Sequence, residues 1–388
     1  MRSTARGPLT GVKVLEFAGI GPGPFAGMML SDMGAQVLRI ERPGAGDPTH
    51  DRIDLRGRTS LALDLKEPAA VSLLLELSES VDMIIEGARP GVMERLGLGP
   101  EAMLARNPRL VYGRMTGWGQ FGPLSRAAGH DINYLSLTGA LHSIGPADKP
   151  VPPLNLVADY GGGALFLVAG LLAALIHSRA SGDGQVVDAA MTDGASYLMT
   201  LFYSMLAGKR WVDQRGANPL DGGAPFYDTY QCSDGCWISV GSIEPQFYAL
   251  LVQHSGATEL LQYRQMDRLS WPEMKSVLAR IFRTRTREEW CAIMENTDVC
   301  FAPVLSLHEA PRHPHNLARE TFLELDGVTT PAPAPRFSVT PSRIQFGPQP
   351  VGRGAHQTLN AWGISAPRLD ELIAAGVLPD DRQPHRKR

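Results

Sequence analysis

The sequence predicts an α/β protein with a parallel, doubly wound sheet, followed by a smaller second domain. Three observations lead there. Strand-like and helix-like segments alternate through the first hundred residues, which is the signature of repeated βα units. A long apolar helix closed by glycines then leads into one more strand. Beyond residue 214 the composition changes to Gly, Pro and aromatic residues, and a hairpin pattern appears.

The elements follow in order. "VKVLEFA" (12–18) is apolar and β-branched and reads as a strand, then the Gly/Pro turn "GIGPGP" opens the helix "FAGMMLSDMG" ending at Gly34. "AQVLRIE", "SLALDL" (60–65), "VDMIIEG" (81–87) and "RLVYGRM" (109–115) read as further strands. Between them "EPAAVSLLLELSES" has helical spacing with Pro68 in its first turn. "GGGALFLVAGLLAALIHSRASGDG" reads as one long buried helix, "QVVDAAM" (185–191) as a strand, and "DGASYLMTLFYSML" as a continuing helix. A domain boundary is expected near 220. In 215–248 a hairpin is predicted from "FYDTYQC", the turn "SDG" and "CWISVGS". Helical patterns cover 246–264 and 271–295, and the Pro-rich stretch 331–349 reads as an extended return linker to the helix "RLDELIAAG".

Composition bounds the function. With 388 residues, 44% hydrophobic, the chain can bury a sizeable core. A formal net charge of -3 gives no overall basic field, so neither nucleic acid nor an anionic membrane is an expected partner. Cys232, Cys236, Cys291 and Cys300 form no CxxC pair and have no His at ligand spacing, so free thiols are expected and zinc is not. "MRSTARGPLTG" has no apolar leader run, and the apolar run "ALFLVAGLLAALI" is too short for a membrane span. The basic tail "DRQPHRKR" is no SKL-type address, so a cytoplasmic location is expected.

Four features bear on chemistry. "GIGPGP" followed by Glu41 has the outline of a dinucleotide-binding turn, but Pro22 and Pro24 remove amides that a pyrophosphate needs, and a tight strand-to-helix turn is the favoured reading. Arg39, Arg42, Lys66, Arg89 and Arg95 stand near predicted strand ends, where they are phosphate ligands or solvated surface charges. His130 and Asp159 are either proton carriers or, respectively, a structural loop residue and a helix cap. Glu244, in "GSIEPQFY", is placed to orient an imidazole by accepting its second N–H.

Taken together, "VKVLEFAGIGPGPFAGMMLSDMGAQVLRIERPG", "DLK", "IIEGARPGVMERLGLGP", "RMTGWGQFGP", "AGHDINYLSLTGAL", "NLVADYGGG", "GQVVDAAMTDG" and "GGAPFYDTY" resemble the α-methylacyl-CoA racemase branch of the family III CoA-transferases. The resemblance runs from about residue 8 to about 340 and leaves the last forty-odd residues unmatched. It implies an interlocked homodimer of chains that each hold a Rossmann-like large domain and a smaller α+β domain. The corresponding boundaries are 1–200 for the CoA-binding domain, 201–225 for linker helices, 226–325 for the small domain and 326–388 for the return segment and C-terminal helix. The active site would combine one subunit's large domain with the other's small domain.

The branch is read at "GHD", residues 129–131, where transferases resemble "G-aromatic-D" and use the aspartate as an acyl-anhydride nucleophile. The resemblance implies that His130 and Asp159 are the two bases, that Glu244 assists, and that Asp131 acts through its backbone N–H at the thioester oxygen. Because Asp131 is retained, CoA transfer is the alternative activity. The implied CoA-binding residues are Arg42, Leu63, Asp64, Leu65, Lys66, Gly87, Ala88, Arg89, Pro90, Gly91, Arg95, Gly129, Ile132, Asn133, Tyr134 and Asn155. Leu63 stands where a smaller residue is common. Met191, Met199 and Met205 are acyl-surface or core residues. No metal or organic cofactor is implied, since CoA is part of the substrate.

Overall fold

The computed structural model of the chain describes residues 7–379; residues 1–6 and the basic tail 380–388, on which the leader and targeting readings partly rest, lie outside the described residues. The elements begin with β1 (Lys13–Phe17), α1 (Pro22–Asp32), β2 (Gln36–Glu41), β3 (Arg58–Ala62), α2 (Pro68–Ser78), β4 (Met83–Glu86), α3 (Val92–Arg95), α4 (Pro100–Arg106) and β5 (Val111–Thr116). There follow α5 (Asp131–Ser136), α6 (Ala140–Ser143), a π-helical run (Leu156–Ala164), α7 (Leu165–Ser181), β6 (Gln185–Ala190), α8 (Met191–Leu198) and α9 (Thr200–Ala207). The remainder comprises β7 (Tyr227–Gln231), β8 (Trp237–Gly241), α10 (Pro245–Ser255), α11 (Trp271–Phe282), α12 (Arg287–Met294), β9 (Phe301–Val304), α13 (Pro314–Ala318), β10 (Phe322–Leu325), β11 (Val328–Pro331), α14 (Ala355–Ala361) and α15 (Ala366–Ala374).

The described residues divide into two compact units: 7–135, 155–198 and 319–379 form the first, and 136–154 with 199–318 the second. Residues 199–225, read as linker helices before a boundary near 220, fall in the second unit, and the excursion 136–154 has no counterpart in the sequence reading.

The first unit is built on a six-stranded sheet in the order β3-β2-β1-β4-β5-β6, every adjacent pair parallel. Leu15, Leu38, Leu61, Ile84 and Tyr112 of its strands share a core with Leu73, Leu74 and Leu77 of α2. The C-terminal segment enters the same core through Leu359, Trp362, Leu369 and Leu372, and Trp362 donates its ring N–H to Gln36 Oε1 at 2.9 Å. Such burial stabilises by about 1.5–3 kcal/mol per large apolar side chain. The strand order reverses between β1 and β4, and in an open α/β sheet the crevice for ligands lies outside the strand C-termini at that reversal.

Four helical readings change. The long helix begins as a π-helical run, so helical backbone continues for 26 residues, Leu156–Ser181, and its most apolar 18-residue stretch has a mean hydropathy of 1.8. That length and composition suffice to cross a bilayer, contrary to the shorter run seen in the sequence. Half of the apolar stretch is nevertheless buried inside the protein, with Leu167, Val168, Leu171 and Leu175 covered while Leu165 and Ile176 stay exposed. "DGASYLMTLFYSML" is two helices broken at Met199, α8 and α9, rather than one. The pattern 246–264 stops at Gly256, whose left-handed φ of 73° ends α10, and 271–295 splits where Thr286 and Glu289 form a capping box that starts α12.

The second unit carries the antiparallel sheet β7-β8-β9 with the hairpin turn at "SDG". Phe226, Tyr230, Trp271, Phe282 and Trp290 centre its core, with Tyr230 stacked on Phe282 at 5.2 Å. The four cysteines are free thiols, Cys232 buried and Cys300 exposed.

Candidate functional site

The loops that leave the C-terminal ends of β1 to β5 enclose a crevice of about 1550 Å³ in the first unit. Arg42 follows β2, Leu63 to Lys66 follow β3, and Gly87 to Pro90 follow β4; all line it. So do Gly129, His130, Asn133, Tyr134, Asn155 and Asp159. Gly91, Arg95 and Ile132 are not among the lining residues, although Gly91 closes the β4 loop and Arg95 ends α3. Glu244 precedes α10 in the second unit, so the crevice of the first unit does not contain it.

His130 is the residue before α5. Asn133 turns its side chain back to accept the His130 N–H at 3.1 Å, and the His130 carbonyl accepts from Asn133 and Tyr134, so the histidine is held at a capped helix start with its ring exposed. Tyr134 packs edge-on against Trp118 at 4.8 Å and donates its hydroxyl to the Gly129 carbonyl, which anchors the "GHD" loop.

Asp159 sits in the π-helical run, a geometry rare in proteins and concentrated at functional sites. The run packs on α8 by direct backbone approach: a Cβ built on Gly194 would lie 1.8 Å from the Gly162 carbonyl oxygen. The glycine triplet is therefore a packing device. Asp159 Oδ2 accepts from Asn155 at 3.3 Å and faces Gly21, whose left-handed φ of 68° begins α1. Burial raises the Asp159 pKa above the ordinary carboxylate value and the charge of Asp131 adds to that, against the bond from Asn155 and the field of His130. A carboxyl of this kind holds its proton more readily than a solvated one, which suits it to exchange protons near neutral pH.

The loop 87–91 has its own support. Glu86, at the end of β4, accepts the Ala88 N–H at 2.6 Å and pairs with Arg114 Nε at 3.0 Å, while Arg114 reaches Glu94 of α3 at 2.6 Å. In the β3 loop, Asp64 accepts the Lys66 amide at 3.0 Å, and Leu63, although it borders the crevice, is only 1% exposed and packs in the core. Arg39 is not a free cation: it is buried and paired with Glu16 and Glu41, so it carries no charge to spare for phosphate.

Several lining residues were missed in the sequence. Phe17 to Gly23, including the whole first part of the Gly/Pro turn, face the crevice, as do Met115 to Trp118 and Tyr160. Their position just after β1 and β5 was the available clue. Of the three methionines singled out, Met191 lines the crevice, while Met199 and Met205 belong to the second unit.

Among proteins of known character, the chain is 44% identical to alpha-methylacyl-CoA racemase of Mus musculus, over 96% of this chain and 98% of that protein. It is 41% identical to alpha-methylacyl-CoA racemase of Homo sapiens over the same shares. The crystal structure of a CAIB/BAIF family protein from Brucella suis superposes with a TM-score of 0.79 at 24% identity, covering 92% of this chain and all of that one, and so shares its fold. The model of CoA-transferase family III matches residues 9–357, and the chain belongs to that family.

Proposed function

We propose that the protein is an isomerase that interconverts (2R)- and (2S)-2-methylacyl-CoA thioesters by 1,1-proton transfer. One observation carries the reading: an imidazole, His130, and a carboxyl with raised proton affinity, Asp159, line the same crevice. Inversion at a carbon next to a thioester needs one group to remove a proton from one face and another to return one to the opposite face. The likeness to the two racemases supports this assignment over nearly the whole chain.

In this mechanism one base takes the α-proton and the thioester becomes an enolate. The Asp131 N–H, in the first turn of α5 where amides lack intrahelical acceptors, donates to the developing oxyanion. The conjugate acid of the second base then reprotonates the opposite face. CoA would be held by the loops after β2, β3 and β4, with Arg42, Lys66 and Arg89 meeting phosphates. Residues 64–65 would line the adenine.

The homodimer and the assistance of Glu244 belong to the same proposal. Its support is α9, "TLFYSMLA", which buries none of its residues and leaves Leu201 at 53% and Tyr203 at 55% exposed. An apolar helix without cover is what an interlocked subunit would fill. A cytoplasmic location fits an enzyme of acyl-CoA metabolism.

CoA transfer through Asp131 is the second reading, favoured only by retention of that residue. Against it, Asp131 is 5% exposed and its Oδ2 is engaged with backbone amides. The deciding experiment is NMR of 2-methylacyl-CoA thioesters in deuterated water, with branched fatty, sterol-side-chain and 2-arylpropionyl acyl groups compared. Racemisation gives α-deuteration and one mixture from either enantiomer, lost by two or more orders of magnitude in His130→Ala and Asp159→Ala. Full activity in both variants overturns the assignment; CoA exchange with a free carboxylate and no α-deuteration supports transfer.

A further inference from the structure

Asp131 does more than lend its N–H. Its Oδ2 accepts two backbone hydrogen bonds from a distant stretch of chain, Ala158 N–H at 2.8 Å and Asp159 N–H at 2.7 Å. The side chain is buried, and Oδ1 is buried with no hydrogen-bond partner among the described residues. Ala158 and Asp159 are the third and fourth residues of the π-helical run, and the first amides of any helix have no acceptor within it. A carboxylate from another element supplies that acceptor here, as a side-chain cap does locally, and a charged acceptor makes the stronger bond.

Resting on the racemase reading, we propose that the Asp131 carboxylate is the positioning residue of the site: it fastens the backbone of Asp159 to the residue next to His130, so that one side chain sets the placement of both bases. Chain connectivity alone does not do this, because residues 136–154 leave for the second unit between the two segments. The bond spans 28 residues of sequence and closes that excursion.

The charge acts as well. Asp131 raises the proton affinity of Asp159 alongside burial, while His130 and the bond from Asn155 lower it. The other groups nearby are few: Tyr134 on α5 is coupled to Asp159 and Arg89, the first turn of α1 carries no titratable side chain, and Asp193 of α8 acts on Asp188. Asp131 therefore holds the base in place and keeps it protonatable.

Two variants separate these effects. Asp131→Asn keeps an acceptor oxygen for both amides and removes the charge; Asp131→Ala removes both. Proton exchange from a 2-methylacyl-CoA in deuterated water is followed against pH, together with amide hydrogen exchange of residues 156–164. Expected for Asp131→Ala is a kcat about a hundredfold lower with KM within threefold, and loss of protection at Ala158 and Asp159. Expected for Asp131→Asn is retained protection, kcat within about tenfold of the parent, and an acid limb of the kcat/KM profile moved to lower pH. Unchanged protection in Asp131→Ala overturns the proposal whatever the reaction turns out to be. Equal loss of activity in both variants, with protection intact in Asp131→Asn, also overturns it and points to a chemical role for the carboxylate. If Asp131→Ala does not fold, the Asp131→Asn profile decides alone: an unmoved acid limb refutes the charge effect, and lost protection refutes the tie. Absence of exchange in the parent protein defeats the racemase reading but leaves the amide-protection result standing.

Discussion

Arg114 on β5 and Glu86 at the end of β4 are cross-strand partners, with the guanidinium Nε 3.0 Å from the carboxylate and both side chains almost wholly buried. The same arginine holds Glu94, so residues 86–94 are fastened at both ends to one cation. This makes the β4 loop a fixed wall of the crevice rather than a mobile one. Removing one member of a buried pair leaves an uncompensated charge, which costs about 3–5 kcal/mol. Arg114→Ala is therefore expected to lower unfolding stability by about 3 kcal/mol and to raise KM for acyl-CoA more than it lowers kcat. Urea titration and steady-state kinetics check this. Arg114→Met combined with Glu86→Gln should regain much of the stability, since no lone buried charge remains and Glu94, the other partner, is half exposed to solvent.

Asp159 costs the fold stability at neutral pH. Its folded pKa is raised, so between the ordinary carboxylate value and the raised one the folded state binds more protons than the unfolded state. Stability then falls as pH rises through that window and stays lower above it. Asp159→Asn should raise Tm at pH 7 by about 1–3 °C while abolishing proton exchange. The gain should vanish below the ordinary carboxylate pKa. Calorimetry at several pH values reads it, and a lower Tm at pH 7 would contradict the argument.

Activity should carry the same signature. Where Asp159 is the base it must start ionised, so kcat/KM in that direction rises with pH through a value above that of a free carboxylate. A profile with its acid limb at the ordinary carboxylate value would assign that limb elsewhere.

The approach of Gly162 to Gly194 leaves no room for a side chain. Gly194→Ala forces the π-helical run off α8 and is expected to cost at least about 1–3 kcal/mol, with a kcat loss because Asp159 moves with its backbone. Gly182→Ala makes a comparison of different origin: a Cβ there meets nothing within 4 Å, and only its left-handed φ of 88° is strained. It should lower stability without lowering kcat.

The proposal of an active site shared between two chains predicts complementation. Chains bearing His130→Ala and chains bearing Glu244→Ala, each inactive alone, should regain about a quarter of the parent activity when refolded together in equal amounts. That fraction follows because half of randomly paired dimers are mixed and one of their two sites is intact. No recovery would place Glu244 with the His130 of its own chain. Leu201→Arg on the uncovered face of α9 should at the same time shift the species seen by light scattering toward a single chain.

The local sequence already determined the strands β1 to β5 and β6, the helices that start at Pro68 and near residue 366, and the hairpin at "SDG". Apolar spacing, prolines in first turns and turn residues act over a few positions and need no partner to be recognised. The family motifs marked His130, Asp131 and Asp159 as candidates, and His130 and Asp159 line the same crevice. What the linear chain could not display is how residues far apart were to meet. Only the tertiary structure shows that the apolar helix starts as a π-helical run and that its amides at Ala158 and Asp159 are taken up by Asp131, 27 and 28 residues earlier. It alone withdrew Arg39 from the crevice by surrounding it with Glu16 and Glu41, and brought the Gly/Pro turn up against Asp159. It also sent residues 136–154 to the second unit. Each of these outcomes depends on burial and on hydrogen bonds between distant segments, and neither exists until the chain has closed on itself.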